Sequence, residues 1–190
     1  MRPWILIAAA GLLQADSGES FCRFSKGTTW TYRRAQGGAA FKVVMTVVDE
    51  ADRKIVVESR EYVEEGKEPS LKTLAWAVED GYLVWGEYKG GKIQSPLRVY
   101  KAGSKKGDTW KSPVGEGKGD LEATHMGTVE VKVPAGTYRD AVQVAFRFGA
   151  DQPKPLMEIV LAPKVGMIRF GGSAGSLMAV MELEEFKEGK

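Results

Sequence analysis

Few side chains in this sequence could carry covalent or metal chemistry. One cysteine, Cys22, and one histidine, His125, stand among 190 residues. A Cys/His zinc site therefore cannot be assembled, and any nucleophile–base pair has a single candidate base. His125 lies beside Met126 and Gly127 with no nucleophile placed by sequence to use it, so a satisfied core or surface histidine at the start of a strand is expected. Gly171-Gly172-Ser173-Ala174-Gly175 matches the nucleophile-elbow pattern G-x-S-x-G. That chemistry needs a strand before the serine, a helix after it, and then an acid and a histidine. Only 15 residues follow Gly175, and the histidine is upstream, so the segment is expected to be a flexible hairpin turn.

The remaining motifs fail on similar grounds. Gly86-Glu87-Tyr88-Lys89-Gly90-Gly91-Lys92-Ile93 resembles a phosphate loop, but Ile93 has no hydroxyl for magnesium and Pro96 forbids the helix that would follow. Gly115-Glu116-Gly117-Lys118-Gly119 lacks a βαβ context. Adjacent acids occur at Glu64-Glu65, Glu79-Asp80 and Glu184-Glu185. On a strand such neighbours point to opposite faces, which suits solvated edges better than paired acid/base work. No calcium loop is present, and no catalytic residue, metal ligand or cofactor is assigned. The functional candidates left are aromatic: Trp30, Trp76, Trp85 and Trp110, with tyrosines at 32, 62, 82, 88, 100 and 138. Such residues either fill a β-protein core or line a pocket for an apolar ligand.

The elements that would position these aromatics have period two. Phe41, Val43, Met45 and Val47 alternate with Lys42, Val44, Thr46 and Val48, while Val142, Val144, Phe146 and Phe148 alternate with Gln143, Ala145 and Arg147. Further strands are predicted over 30–34, 55–62, 71–79, 82–88, 97–100, 128–133, 157–161, 165–170 and 177–186. Turn residues separate them, including Glu79-Asp80-Gly81, Lys89-Gly90-Gly91 and Pro134-Ala135-Gly136. Leu177, Met181 and Phe186 could also line a helix, but that stretch alternates equally well. Lys26-Gly27-Thr28-Thr29-Trp30 is echoed at Lys106-Gly107-Asp108-Thr109-Trp110, and both copies read as a turn glycine delivering a tryptophan into a strand start. The segments 112–120 and 149–155 read as polar, Gly- and Pro-containing loops.

With no βαβ spacing, these elements predict an all-β fold, a single strongly curved antiparallel sheet or half-open barrel of about ten strands. A signal segment precedes it. Met1-Arg2-Pro3 is cationic, and residues 4–13 form an uncharged apolar run too short to span a bilayer. Small residues allow cleavage after Ala15, or after Ala10, giving residues 1–15 as signal peptide and 16–190 as one β domain. Glu19-Ser20-Phe21 before Cys22 do not fit a lipid-attachment site, so a buried thiol in an exported chain is expected, without a lipid anchor. The chain is 43% hydrophobic and 27% charged with a net charge of +2, ordinary globular values that argue against nucleic-acid partners.

Four stretches occur in order: Gly27-Thr-Thr-Trp-Thr-Tyr32, Gly107-Asp-Thr-Trp110, Val133-Pro-Ala-Gly-Thr-Tyr138 and Ala162-Pro-Lys-Val-Gly-Met-Ile-Arg169. Together they resemble a broad group of uncharacterised exported bacterial β-proteins with G-x-x-W-x-Y, V-P-A-G-[TS]-[FY] and A-P-x-V-G signatures. The resemblance implies a curved sheet similar in outline to the half-barrels of periplasmic lipoprotein carriers, and it brings no catalytic residues. No stretch here supplies the helices those carriers lay across their concave face. The expected function is that of an exported, non-enzymatic β-protein, periplasmic or at the cell surface. It would bind an apolar small molecule or lipid, or an envelope protein, on a concave aromatic-rich face. A carboxylate-dependent polysaccharide hydrolase and a purely structural envelope module are the alternatives. A cavity with two facing carboxylates favours the first, and a filled core favours the second.

Overall fold

The structure is a computed structural model, and it describes residues 19–51, 53–63, 66–113, 119–148, 154–174 and 177–190. The expected signal segment 1–15, with both cleavage points, lies outside the described residues, as do Glu64, Glu65 and the glycines at 115 and 117. A short 3-10 turn over Glu19–Phe21 leads into twelve strands: β1 (Thr29–Gln36), β2 (Ala39–Ala51), β3 (Lys54–Tyr62), β4 (Ser70–Glu79), β5 (Tyr82–Lys89), β6 (Lys92–Lys101), β7 (Thr109–Pro113), β8 (Asp120–Val133), β9 (Gly136–Arg147), β10 (Met157–Ala162), β11 (Gly166–Ala174) and β12 (Leu177–Lys187). They form one sheet in the order β6-β5-β4-β3-β2-β1-β12-β11-β10-β9-β8-β7. The sheet is a meander in which the first and last strands pair antiparallel and join its two halves. It curls into a nearly closed barrel.

Turn chemistry explains most of the connections. Asp80 (φ +50°) with Gly81 (φ +79°), and Gly90 (φ +59°) with Gly91 (φ +79°), form two-residue hairpins with both central residues left-handed, which matches the twist of the flanking strands. Gly27 (φ +87°) and Gly107 (φ +93°) are the turn glycines of the repeated motif, and each precedes a strand that starts just before its tryptophan.

Cross-strand partners share a face, and the register lines up two apolar rows. Trp30 lies opposite Met45 and Phe186 in one; in the other Ile55 lies opposite Trp76, Trp76 opposite Trp85, and Trp85 opposite Leu97. The two meet where Trp30 packs on Trp76, in the barrel interior, where Trp30, Tyr32, Val57, Leu83, Val144, Phe146, Ile159 and Leu183 have no exposure at all. One end is plugged by the N-terminal segment. Phe24 packs edge-on to Trp30 at 4.8 Å between ring centroids, and Phe21 does the same to Tyr100 at 5.1 Å. Lys164 N donates to Ser20 O at 2.7 Å and Gly27 N to Val47 O at 2.8 Å, which ties the plug to strands on both sides. Cys22 is buried within it.

The sheet's edges, β6 and β7, meet without a main-chain ladder among the described residues. Pro96 and Pro113 lie on these edges and bring no N–H to pair. Side chains close the seam instead: Arg98 N donates to Ser112 Oγ at 2.7 Å, and Trp110 Nε1 donates to Arg98 O at 2.8 Å. At the opposite side, Ala135 N at the tip of the β8–β9 hairpin donates to Leu183 O of β12 at 2.9 Å. The hairpin therefore reaches past β10 and β11.

Several expectations need correction. There are twelve strands rather than about ten. β7 was not predicted because it has five residues and only one large apolar side chain, and β8 begins at Asp120 rather than Thr128: the buried positions of its first half, Leu121, Ala123, His125 and Gly127, include a single large apolar side chain and give no alternating signal. Consequently Ser112 and Pro113 belong to a strand rather than a loop, and His125 lies in the middle of β8 rather than at its start. Gly171 to Ala174 continue β11 in register with β12 instead of forming the hairpin turn, while Gly175 lies outside the described residues. Two-residue alternation decided the fate of 177–186, which is strand β12.

Candidate functional site: an aromatic cup inside the barrel

Above the packed layer around Trp30 the interior opens into a cup of about 400 Å³. Its base and walls are Met45, Trp76, Trp85, Leu97 and Met167, contributed by β2, β4, β5, β6 and β11. Trp76 and Trp85 lie nearly parallel, 22° apart with ring centroids separated by 5.1 Å. Trp30 continues the row, 5.2 Å from Trp76. The volume falls within the range of small-molecule sites, which combine apolar walls with a few placed polar groups.

The polar groups come from the β5–β6 hairpin: Glu87, Gln94 and Ser95. Two register shifts on this pair, at Leu83/Val84 and Trp85/Glu87, bend it at the cup, as bulges near functional sites do. Gly86 is required there, since a Cβ on it would lie 2.5 Å from Ile93 Cγ2 and 2.6 Å from Gln94 O. Ser95 sits in the left-handed region at φ +46°. Among the described residues, Glu87 is the only charged one lining the cup. Further along the same inner rows, Arg34 and Glu61 close on each other in a 2.6 Å ion pair, so their charges cancel locally.

Trp85 Nε1 is buried and has no hydrogen-bond partner. Its counterparts differ. Trp30 Nε1 donates to Val165 O at 2.6 Å and Trp110 Nε1 to Arg98 O at 2.8 Å, so those two indoles are tied into the framework.

Two other concavities are more polar or lie outside the barrel. A cleft of about 500 Å³ beside the plug is bordered by Cys22, Arg23, Glu50, Arg53 and Lys54. A groove of about 910 Å³ runs between Val129 to Val131 of β8 and the face of β10–β12 that carries Val160, Arg169 and Val180. It contains Glu130 and Glu158, but Glu130 is largely exposed and ion-paired with Arg139 at 3.4 Å. A general acid of a glycosidase is instead desolvated so that it keeps its proton.

His125 is buried, with Nδ1 3.1 Å from Ser104 Oγ and Nε2 without a partner. Burial pushes its pKa down, and the Ser104 interaction and the Asp108 charge oppose that shift. It lies against Tyr100 and is not among the residues that line the cup. Of the acid pairs, Glu184 meets Arg33 at 4.0 Å and Glu185 meets Lys187 at 2.9 Å, which fits solvated strand faces. No group of three metal-ligating side chains is found among the described residues. Of the aromatic candidates, the structure brings Trp76 and Trp85 together at the cup, whereas Trp30, Tyr32, Tyr100 and Trp110 are core. Met45, Met167, Gln94 and Ser95 carried no sequence signal for such a site.

No protein-family model matches the chain, and no curated protein matches it. Two solved structures share its architecture. One, described as an exported protein from Bacteroides fragilis with a YmcC-like fold, superimposes with a TM-score of 0.56 at 14% identity, covering 87% of this chain and 97% of that one. The other, described as a lipoprotein from Parabacteroides distasonis, gives 0.52 at 15% identity, covering 86% and 96%. The likeness spans almost the whole barrel and, at 14–15% identity, is one of fold.

Proposed function

We propose that this chain is an exported, non-enzymatic β-barrel protein that holds an apolar small molecule or lipid in the cup formed by Met45, Trp76, Trp85, Leu97 and Met167. The cup itself carries the reading: it is an open, aromatic-walled space beside a layer of fully buried side chains that includes Trp30, Tyr32 and Leu183. A purely structural module would be filled throughout, and a carboxylate hydrolase would place two acids around the space, whereas among the described residues Glu87 is the one acid that lines the cup. Export is supported by the cationic start and apolar run of residues 1–13, and by the descriptions of the two structural neighbours as an exported protein and a lipoprotein. Cys22 is 5% exposed inside the plug, which supports a thiol without a lipid anchor. No described helix is long and apolar enough to cross a membrane. An envelope protein remains the second candidate partner.

Native mass spectrometry of the protein taken from its own exported fraction, before and after organic extraction, tests the reading. The expected result is a loss of mass on extraction and recovery of an apolar molecule, with the Met167→Trp variant, whose larger side chain fills the cup, emerging bare. A bare monomer in both spectra of the unaltered protein would overturn it.

A further inference from the structure

We infer that the molecule held in the cup is an anionic amphiphile, an apolar chain ending in a carboxylate or phosphate, and that Lys72, Lys89 and Lys92 at the cup's mouth receive its head. This rests on the cup being a ligand site. Three neighbouring strands of its wall each end in a lysine on the side away from the packed layer. Beyond Leu74 on β4 comes Lys72, beyond Glu87 on β5 comes Lys89, and beyond Gln94 on β6 comes Lys92. Leu74, Glu87 and Gln94 line the cup, and residues two apart on a strand share a face. Each lysine therefore stands one step outside the lining, about 7 Å further along its strand. The register places Lys72 there independently, since Ser59 is the cross-strand partner of both Lys72 and the cup residue Met45.

The charges on this rim are uncompensated. All three lysines are exposed, and among the described residues none has an ion-pair partner. Lys89 and Lys92 lie directly opposite each other, and continuing the β4–β5 register past Leu74 and Glu87 sets Lys72 beside Lys89. Like charges opposite one another weaken a sheet. Protection of an open edge accounts for a lysine on β6, but β4 lies two strands inside that edge. Arg34 and Glu61, on the same inner rows, neutralise each other at 2.6 Å, and Glu87 sets one negative charge against the three positive ones. A net positive rim over an aromatic floor matches a molecule with a hydrocarbon body and an anionic head. An ammonium recognises charge rather than planar shape, so carboxylate and phosphate heads serve alike, a neutral head gains nothing, and a cationic head is repelled.

The test compares four probes with the same ten-carbon chain: decanoate, decyl phosphate, decanol and decyltrimethylammonium. Their dissociation constants are measured by titration calorimetry below their micelle-forming concentrations. At low salt both anions are expected to bind about tenfold tighter than the alcohol, the scale of two or three exposed ion pairs acting together. That preference should fade at about 1 M salt, where the screening length is about 3 Å, a reading made on the unaltered protein. It should also be largely lost in the combined Lys72→Gln, Lys89→Gln and Lys92→Gln variant, and Met167→Trp should abolish binding of the anions. Equal affinity for the anions and the alcohol, a preference for the cation, or an anion preference that survives in the triple variant would overturn this inference while sparing the cup as a site. Failure of all four probes to bind would overturn it together with the cup.

Discussion

Removing one oxygen atom from the seam should measurably weaken the barrel. Ser112 has no exposure, and its Oγ accepts the Arg98 amide at 2.7 Å where β6 and β7 lack a ladder. In Ser112→Ala that amide, held in a part-buried bond, loses its acceptor. A buried, unsatisfied donor costs about 1–3 kcal/mol, and the volume lost is a single atom, so the cavity contribution is minor beside it. For a domain of this size each kcal/mol shifts the melting temperature by roughly 2–4 °C, so the variant should melt about 2–12 °C lower. Urea unfolding should show a lower midpoint with an unchanged slope, because the exposed surface is the same. Hydrogen exchange at Arg98 and along β6 should accelerate while β10, in the middle of the other half, stays protected. A loss below about 0.5 kcal/mol, the scale of an ordinary surface substitution, together with unchanged exchange at Arg98, would show that Ser112 does not hold the seam.

Other expectations follow from the packing and titration of single residues. Trp30→Ala removes a fully buried ring that contacts Phe24, Trp76 and Phe186 and should cost about 3–5 kcal/mol; an unchanged denaturation midpoint would contradict its placement at the centre of the core. His125 is the only histidine, and burial lowers its folded pKa below the ordinary value near 6.5. The neutral form is thus favoured by folding, and the stability it contributes is complete above about pH 6.5 and declines as the pH falls through the range between that value and the lowered one. Urea midpoints compared at about pH 7.5 and pH 5.5 should show a loss at the lower pH, and His125→Gln should remove most of that difference. A rise in stability on acidification would reverse the assigned direction.

Much of the fold was legible because a half-buried strand must alternate. Phe41 to Val47 and Val142 to Phe146 carry that pattern plainly, and Glu79-Asp80-Gly81 and Lys89-Gly90-Gly91 marked hairpins because residues there must tolerate positive φ. The repeated K-G-x-T-W motif correctly announced a turn glycine followed by a strand tryptophan, although β7, the second of the two strands it opens, is too short and too thinly apolar to register. Gly171 and Gly172 resembled a turn by composition. They remain strand because pairing with Val180 and Ala179 fixes them, a long-range bond that no local signal reports.

By itself the sequence determined the class of the protein: period-two patterning and turn residues are local properties, and one histidine with one cysteine limits chemistry wherever they fall. Only the tertiary structure decided that the sheet closes and that a cup remains within it. Closure depends on the pairing of β1 with β12 and on Ser112 and Trp110 reaching β6, contacts between residues far apart in the chain. The cup depends on five strands converging and on a bulge that sets Trp85 against Trp76 without giving its N–H an acceptor. A tryptophan in a strand is compatible with either core or site; which one it becomes is fixed by what the other strands bring to its face.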